Sequence, residues 1–92
     1  MYITAYFTDS GTPKTGLTPN ISIYRISDSA QIVATTSMSE IANGEYKYNF
    51  ASMTASFDYT VWVDGGAVLS ATDRYKHQII ICKYDRGVEQ LF

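Results

Sequence analysis

Apolar and polar residues alternate with a period of two along much of the chain. Ile3, Ala5 and Phe7 alternate with Tyr2, Thr4 and Tyr6; Tyr46, Tyr48 and Phe50 with Lys47, Asn49 and Ala51; and Tyr59, Val61 and Val63 with Thr60, Trp62 and Asp64. Successive side chains of a strand point to opposite faces, so each run predicts a strand with one face in a core. Asn20 to Ser27 and Gln31 to Met38, rich in Ile, Val and Thr, predict two more, and Tyr75 to Tyr84 a last one. Ile79, Ile80 and Ile81 are consecutive in that last run, which is the pattern of a strand covered on both faces.

Turn chemistry falls between the runs. Asp9-Ser10-Gly11-Thr12-Pro13 with Gly16 predicts a first loop, and Ser27-Asp28-Ser29 is short enough for a hairpin. Asn43-Gly44 and Asp64-Gly65-Gly66 accept positive φ at low cost and mark reversals of direction. Ser37 and Glu40 stand at capping-box spacing, but Asn43-Gly44 follows at once and leaves room for a single helical turn. About six or seven short strands with turns at this spacing predict an all-β fold: one small antiparallel β-sandwich with little or no helix. Residues 1–92 are expected to form this single domain, with 85–92 as a C-terminal arm.

Composition adds a hint of a partner. Charged residues make up 17% of the chain, below the roughly 25% usual for a globular domain, while eight residues are Tyr. Some surface is therefore expected to be covered. The net charge of −2 speaks against nucleic-acid binding. Charge is uneven along the chain, however. Up to Asp73, Lys14, Arg25 and Lys47 face seven acids; beyond it, Arg74, Lys76, Lys83 and Arg86 face only Asp85 and Glu89. Interleaved with Tyr75 and Tyr84, these four bases suit a solvated strand edge better than a single-strand nucleic-acid groove. Cys82, the one cysteine, has no partner for an internal disulfide and reads as a small buried hydrophobe. Met1-Tyr2-Ile3-Thr4 lacks a basic region ahead of an apolar stretch, so no secretory signal is expected. No run approaches the ~18 apolar residues of a membrane span.

Catalytic chemistry is poorly supplied. His77 is the only histidine and has no partner at ligand spacing, so it reads as a partly exposed strand residue. There is no Gly-x-Ser-x-Gly, and the six glycines form no phosphate cradle. Asp9, Asp28, Asp64 and Asp73 lie in expected loops without calcium-loop spacing and read as turn formers. No enzyme activity, cofactor or metal is expected. The aromatic residues are more informative. If Val61 and Val63 point inward, Trp62 points outward; if Ile3, Ala5 and Phe7 point inward, Tyr2 and Tyr6 point outward. Partner interfaces enrich such residues. At the chain end, Asp85-Arg86-Gly87 reads as a turn, and Leu91-Phe92 implies docking onto the domain or a neighbour, with Lys83 and Arg86 free to pair with acidic groups there. The expected partner interface is thus Trp62, Tyr2, Tyr6, Leu91, Phe92, Lys83 and Arg86.

Four segments together carry a resemblance: Thr15-Gly16-Leu17-Thr18-Pro19 with Ile21-Ser22-Ile23, the run from Met38 to Phe50, Asp58-Tyr59 to Asp64-Gly65-Gly66, and Asp73-Arg74-Tyr75. They resemble small transthyretin-like or immunoglobulin-like β-sandwich domains in structural proteins of tailed bacteriophages, relatives of the transthyretin and carboxypeptidase-regulatory domains. The Gly-x-Tyr-x-Phe strand of those domains is matched by Gly44, Tyr46 and Tyr48, with Tyr in the Phe position. The resemblance covers most of residues 15 to 75 and offers no catalytic residues to carry over. It implies a virion structural protein made in the host cytoplasm, most simply a capsid decoration or cement protein bound to the major capsid protein or other virion proteins. A head-tail connector or tail component of the same fold is the second expectation, and a homo-oligomer is compatible with either. No nucleic acid or membrane partner is implied. From another class, a carbohydrate-binding β-sandwich would use Trp62 and the tyrosines as stacking platforms.

Overall fold

The alternating runs fold at the expected phase. The computed structural model describes residues 1–54 and 56–81. In chain order its strands are β1 (Tyr2–Tyr6), β2 (Thr8–Asp9), β3 (Thr12–Pro13), β4 (Asn20–Arg25), β5 (Gln31–Ser37), β6 (Ser39–Ala42), β7 (Glu45–Asn49), β8 (Tyr59–Asp64) and β9 (Tyr75–Ile80). One four-residue helix, α1 (Ala71–Arg74), precedes β9. The first sheet has the order β1-β7-β6, the second β5-β4-β8-β9, and β2-β3 is a small separate hairpin. All pairings are antiparallel. Ile3, Ala5 and Tyr46 from the first sheet meet Ile21, Ile23, Val33, Val61, Val63 and Ile80 from the second in one core. The fold class is therefore the expected all-β sandwich. Among the described residues, no helix is long and apolar enough to cross a membrane.

The sheets are joined along one side by a strand that changes sheet. β5 ends at Ser37 and β6 begins at Ser39, with only Met38 between them. Met38 is buried, and its N–H donates to the Pro19 carbonyl at 2.8 Å. The capping-box spacing of Ser37 and Glu40 predicts a helical turn here, yet the chain stays extended. A turn of helix would withdraw Met38 from the core and Glu40 from its partner, Gly16 N–H, at 3.0 Å. Along the other side lie β1 and β9, the outer strands of their sheets. Gln78 Nε2 crosses the gap between them and donates to the Thr4 carbonyl at 2.7 Å.

Two aromatic pairs fill the sandwich. Phe7 meets Tyr46 edge to face at 5.8 Å, and Phe50 meets Tyr59 at 4.9 Å. Each buried hydroxyl has a partner in a connecting loop. Tyr46 Oη donates to the Lys14 carbonyl at 2.8 Å and accepts from Leu17 N–H at 3.0 Å, while Tyr59 Oη accepts from Thr54 N–H at 3.0 Å. Tyr48 lies only half-buried at the margin of this core.

Turns fall where their residues predict. Asn43 (φ 50°) and Gly44 (φ 86°) close the β6-β7 hairpin. A Cβ on Gly44 would come within 2.7 Å of the Phe7 carbonyl oxygen, so both its φ and its surroundings require glycine. At Gly65 the requirement is packing alone: a Cβ there would meet the Phe7 ring at 2.6 Å. Asp28 anchors the β4-β5 turn through a two-point ion pair with Arg25, at 3.0 and 2.6 Å.

The triple isoleucine departs from expectation. β9 is an edge strand, and no layer among the described residues covers the outer face of its sheet. Ile80 is buried, but Ile79 is 49% exposed and Ile81 lies beyond the strand. The β8-β9 reversal at Asp64-Gly65-Gly66 is also longer than a tight turn, since it takes in α1.

Val61, fully buried at the centre of β8, tests the register most sharply. Val61→Asp is expected to abolish cooperative folding, because an unpaired buried carboxylate costs several kcal/mol against a total stability of about 5–10. A thermal melt within a few degrees of the parent's would show the register to be wrong.

Candidate functional site

The outer face of the second sheet is a lattice of side chains set by strand register. Ser22, Trp62 and His77 form one row across β4, β8 and β9; Asn20, Asp64 and Tyr75 form the next; Tyr24, Thr60 and Ile79 form the row on the other side. Thr35 joins the first row from β5, its hydroxyl 3.3 Å from that of Ser22. Trp62 sits at the centre and is half-exposed. Its indole stacks on the His77 ring at 4.1 Å with 23° between planes, and His77 Nε2 shares a 2.8 Å hydrogen bond with Thr60 Oγ1. The histidine thus acts as a backing for the tryptophan.

Asp64 organises the row beside it. Its carboxylate accepts from Arg74 Nε and Nη2 at 2.7 and 3.0 Å and from Gly66 N–H at 2.9 Å. The Arg74 guanidinium in turn lies 4.9 Å from the centre of the Tyr75 ring. Hydrogen bonding from Arg74 holds the Asp64 carboxyl below the usual carboxylate range. At the far end of the sheet, Arg25 does the same more strongly to Asp28, bringing it down to about 2. Asn20, Ser22, Thr35, Trp62, Val63, Asp64 and Tyr75 line a cleft of about 320 Å³ on this face.

The first sheet has an aromatic face of its own. Tyr2, Thr4 and Tyr6 point outward from β1, opposite Asn49, Lys47 and Glu45 of β7. Tyr2 is 63% and Tyr6 47% exposed, and Lys47 Nζ lies 5.5 Å from the centre of the Tyr2 ring.

Trp62, Tyr2 and Tyr6 all point outward, as their alternation predicts, but the structure does not bring them together. Ile3 and Ala5 on one side and Val61 and Val63 on the other share the core, so the tyrosines and the tryptophan lie on opposite faces of the sandwich. One flat partner cannot cover both. Leu91, Phe92, Lys83 and Arg86, with Cys82 and the arm at 85–92, lie outside the described residues. Arg74 and Lys76 are engaged locally, Arg74 with Asp64 and Lys76 with its Nζ 5.5 Å from the centre of the Phe7 ring. Of the four aspartates read as loop residues, Asp64 closes β8, Asp9 closes β2 and Asp73 falls in α1, where it accepts from Ser10 N–H at 3.2 Å. The backing role of His77 and the cleft residues Asn20, Ser22, Thr35 and Tyr75 have no signal in local sequence, because only the pairing of β5, β4, β8 and β9 aligns them.

Among the described residues, no group of three or more His, Cys, Asp or Glu side chains is placed to hold a metal ion. Compared with known proteins, the chain matches no family model, no curated protein and no solved structure.

The Asp64–Arg74 pair has a pH consequence. A carboxyl held low in the folded state stabilises it above the unfolded value of about 4, and that contribution fades as pH falls through the folded value. Asp64→Asn should melt lower than the parent at neutral pH, and the gap should narrow on acidification below about pH 4. The effect is modest, since both side chains are about a third exposed. Thermal melts across that range check it, and a gap constant with pH would contradict it.

Proposed function

We propose that this chain is a structural binding module that docks on another protein through the outer face of its first sheet. The observation that carries this reading is the exposure of Tyr2 and Tyr6, at 63% and 47%, on the same face of an edge strand with Thr4 between them. Folding does not need rings at these positions, since Ile3, Ala5 and Phe7 supply the buried side of the same run. Tyrosine gives a docking surface a large, stiff contact area with a polar tip, and Lys47 and Glu45 beside it supply charges that can set register. Docking by side chains is favoured over strand addition, because Gln78 already occupies the Thr4 carbonyl at the free edge.

The assembly proposed is a tailed-phage particle, with the chain as a decoration protein on the capsid and the major capsid protein as its partner. Support for this part comes from the sequence resemblance over residues 15 to 75. A protein of this kind acts by differential binding: it engages neighbouring capsid subunits only in the mature lattice, so its binding free energy adds to the stability of the shell. A connector or tail component would use the same face on a different neighbour.

Replacing both rings, as Tyr2→Ser with Tyr6→Ser, should leave the isolated fold intact and weaken binding to gradient-purified particles by about 2 kcal/mol or more. Co-sedimentation and mass spectrometry, with copy number scaled to the major capsid protein, read this out. Unchanged binding would contradict the face, and absence of the parent chain from such particles would contradict the assembly.

A further inference from the structure

Docking through Tyr2 and Tyr6 leaves the opposite face of the sandwich open. We infer that the cleft beside Trp62 on that face binds a saccharide, with the indole as platform for one face of a pyranose ring and Asn20, Ser22, Thr35 and Asp64 as partners for its hydroxyls.

A sugar ring has two needs at once: its C–H face must be covered by flat apolar surface, and its hydroxyls need both donors and acceptors at the rim. Register supplies both here. Ser22 lies directly across from Trp62, and Asn20 and Asp64 stand one row away, with Tyr75 closing the end. These groups offer an amide, two aliphatic hydroxyls, a phenol and a carboxylate. The Asn20 amide forms no hydrogen bond with another described residue, and Ser22 and Thr35 bond only each other among the lining groups, so their remaining capacity faces the cleft.

The site is also built before the ligand arrives. His77 holds one face of the indole by stacking at 4.1 Å, and its own ring is fixed by Thr60 at 2.8 Å. Arg74 and Gly66 fix the Asp64 carboxylate from outside the cleft. Side chains ordered in advance lose little entropy on binding.

Other occupants fit less well. A nucleic acid would find the ring platform, but among the described residues no Lys or Arg lines the cleft for its phosphates, and Arg74 is already paired at two points with Asp64. The 320 Å³ volume is at the small end of the range of about 300–1,000 Å³ for ligand clefts, suiting a sugar unit better than a peptide segment. A purely apolar ligand would strand the hydroxyls and the amide.

Trp62 is the only tryptophan, so its emission reports this site and no other. The full chain is titrated with methyl glycosides of glucose, galactose, mannose and N-acetylglucosamine and with their short linear oligomers, up to about 50 mM, a range that captures the weak affinities expected of a small open site. A saturable shift of emission with at least one of them is expected. Asn20→Ala and Ser22→Ala, which keep the reporter, should weaken that binding about tenfold, the scale of one lost polar contact. Calorimetry on Trp62→Ala should show binding lost while the melt stays cooperative. No saturable shift with any sugar would overturn the inference. So would Asn20→Ala and Ser22→Ala variants that bind like the parent, or an emission shift that follows protein concentration instead of sugar, which would mean that a second copy closes the face. The Tyr2→Ser, Tyr6→Ser variant should bind sugar normally, which keeps failure of this site distinct from failure of the particle-docking face.

Discussion

Burying a tyrosine ring is favourable only if its hydroxyl keeps a hydrogen bond, and the architecture depends on how that requirement is met. Tyr46 and Tyr59 are both almost wholly buried. Tyr46 bonds Lys14 and Leu17, in the segment that leaves β3 and enters β4 of the second sheet. Tyr59 bonds Thr54, in the segment that carries the chain from β7 of the first sheet to β8 of the second. Two passages between the layers are therefore fixed from inside the core. Met38 fixes a third, where β5 runs on into β6.

A frame tied from within makes few demands on its outer faces. The rings of Tyr2, Tyr6 and Trp62 serve no packing role in the core, and each sheet is free to present its own chemistry. The first sheet offers phenols with a few charges, which suits a protein surface. The second offers an indole backed by imidazole, rimmed by hydroxyl, amide and carboxylate groups, which suits a small polar ligand. On the proposed reading, opposite faces let one hold the module in place while the other stays open to solution.

Much of this is legible in the sequence, and the limits have physical causes. Alternation fixes which residues of a strand face the core, so Val61, Ile3 and Phe7 fall inside and Trp62, Tyr2 and Tyr6 outside. It does not say which sheet a strand joins, so it cannot reveal that the tryptophan and the tyrosines look in opposite directions. Nor can it pair Trp62 with His77, because their register is set after a long connection through Gly65, Leu69 and α1. Local rules lose where the core has a stronger claim: the capping signal at Ser37 and Glu40 yields to burial of Met38. The run Ile79-Ile80-Ile81 misleads in the opposite sense, since consecutive apolar residues resemble a covered strand even when the strand ends a sheet.

The tyrosine ties can be tested where they act. In Tyr46→Phe the ring still fills the core, but Leu17 N–H and the Lys14 carbonyl lose their partner, so amide hydrogen exchange at Leu17 reads the contact directly. The Leu17 amide should lose protection, and urea unfolding should show a loss of about 1–3 kcal/mol. A Leu17 amide as protected as in the parent, with stability unchanged, would contradict it.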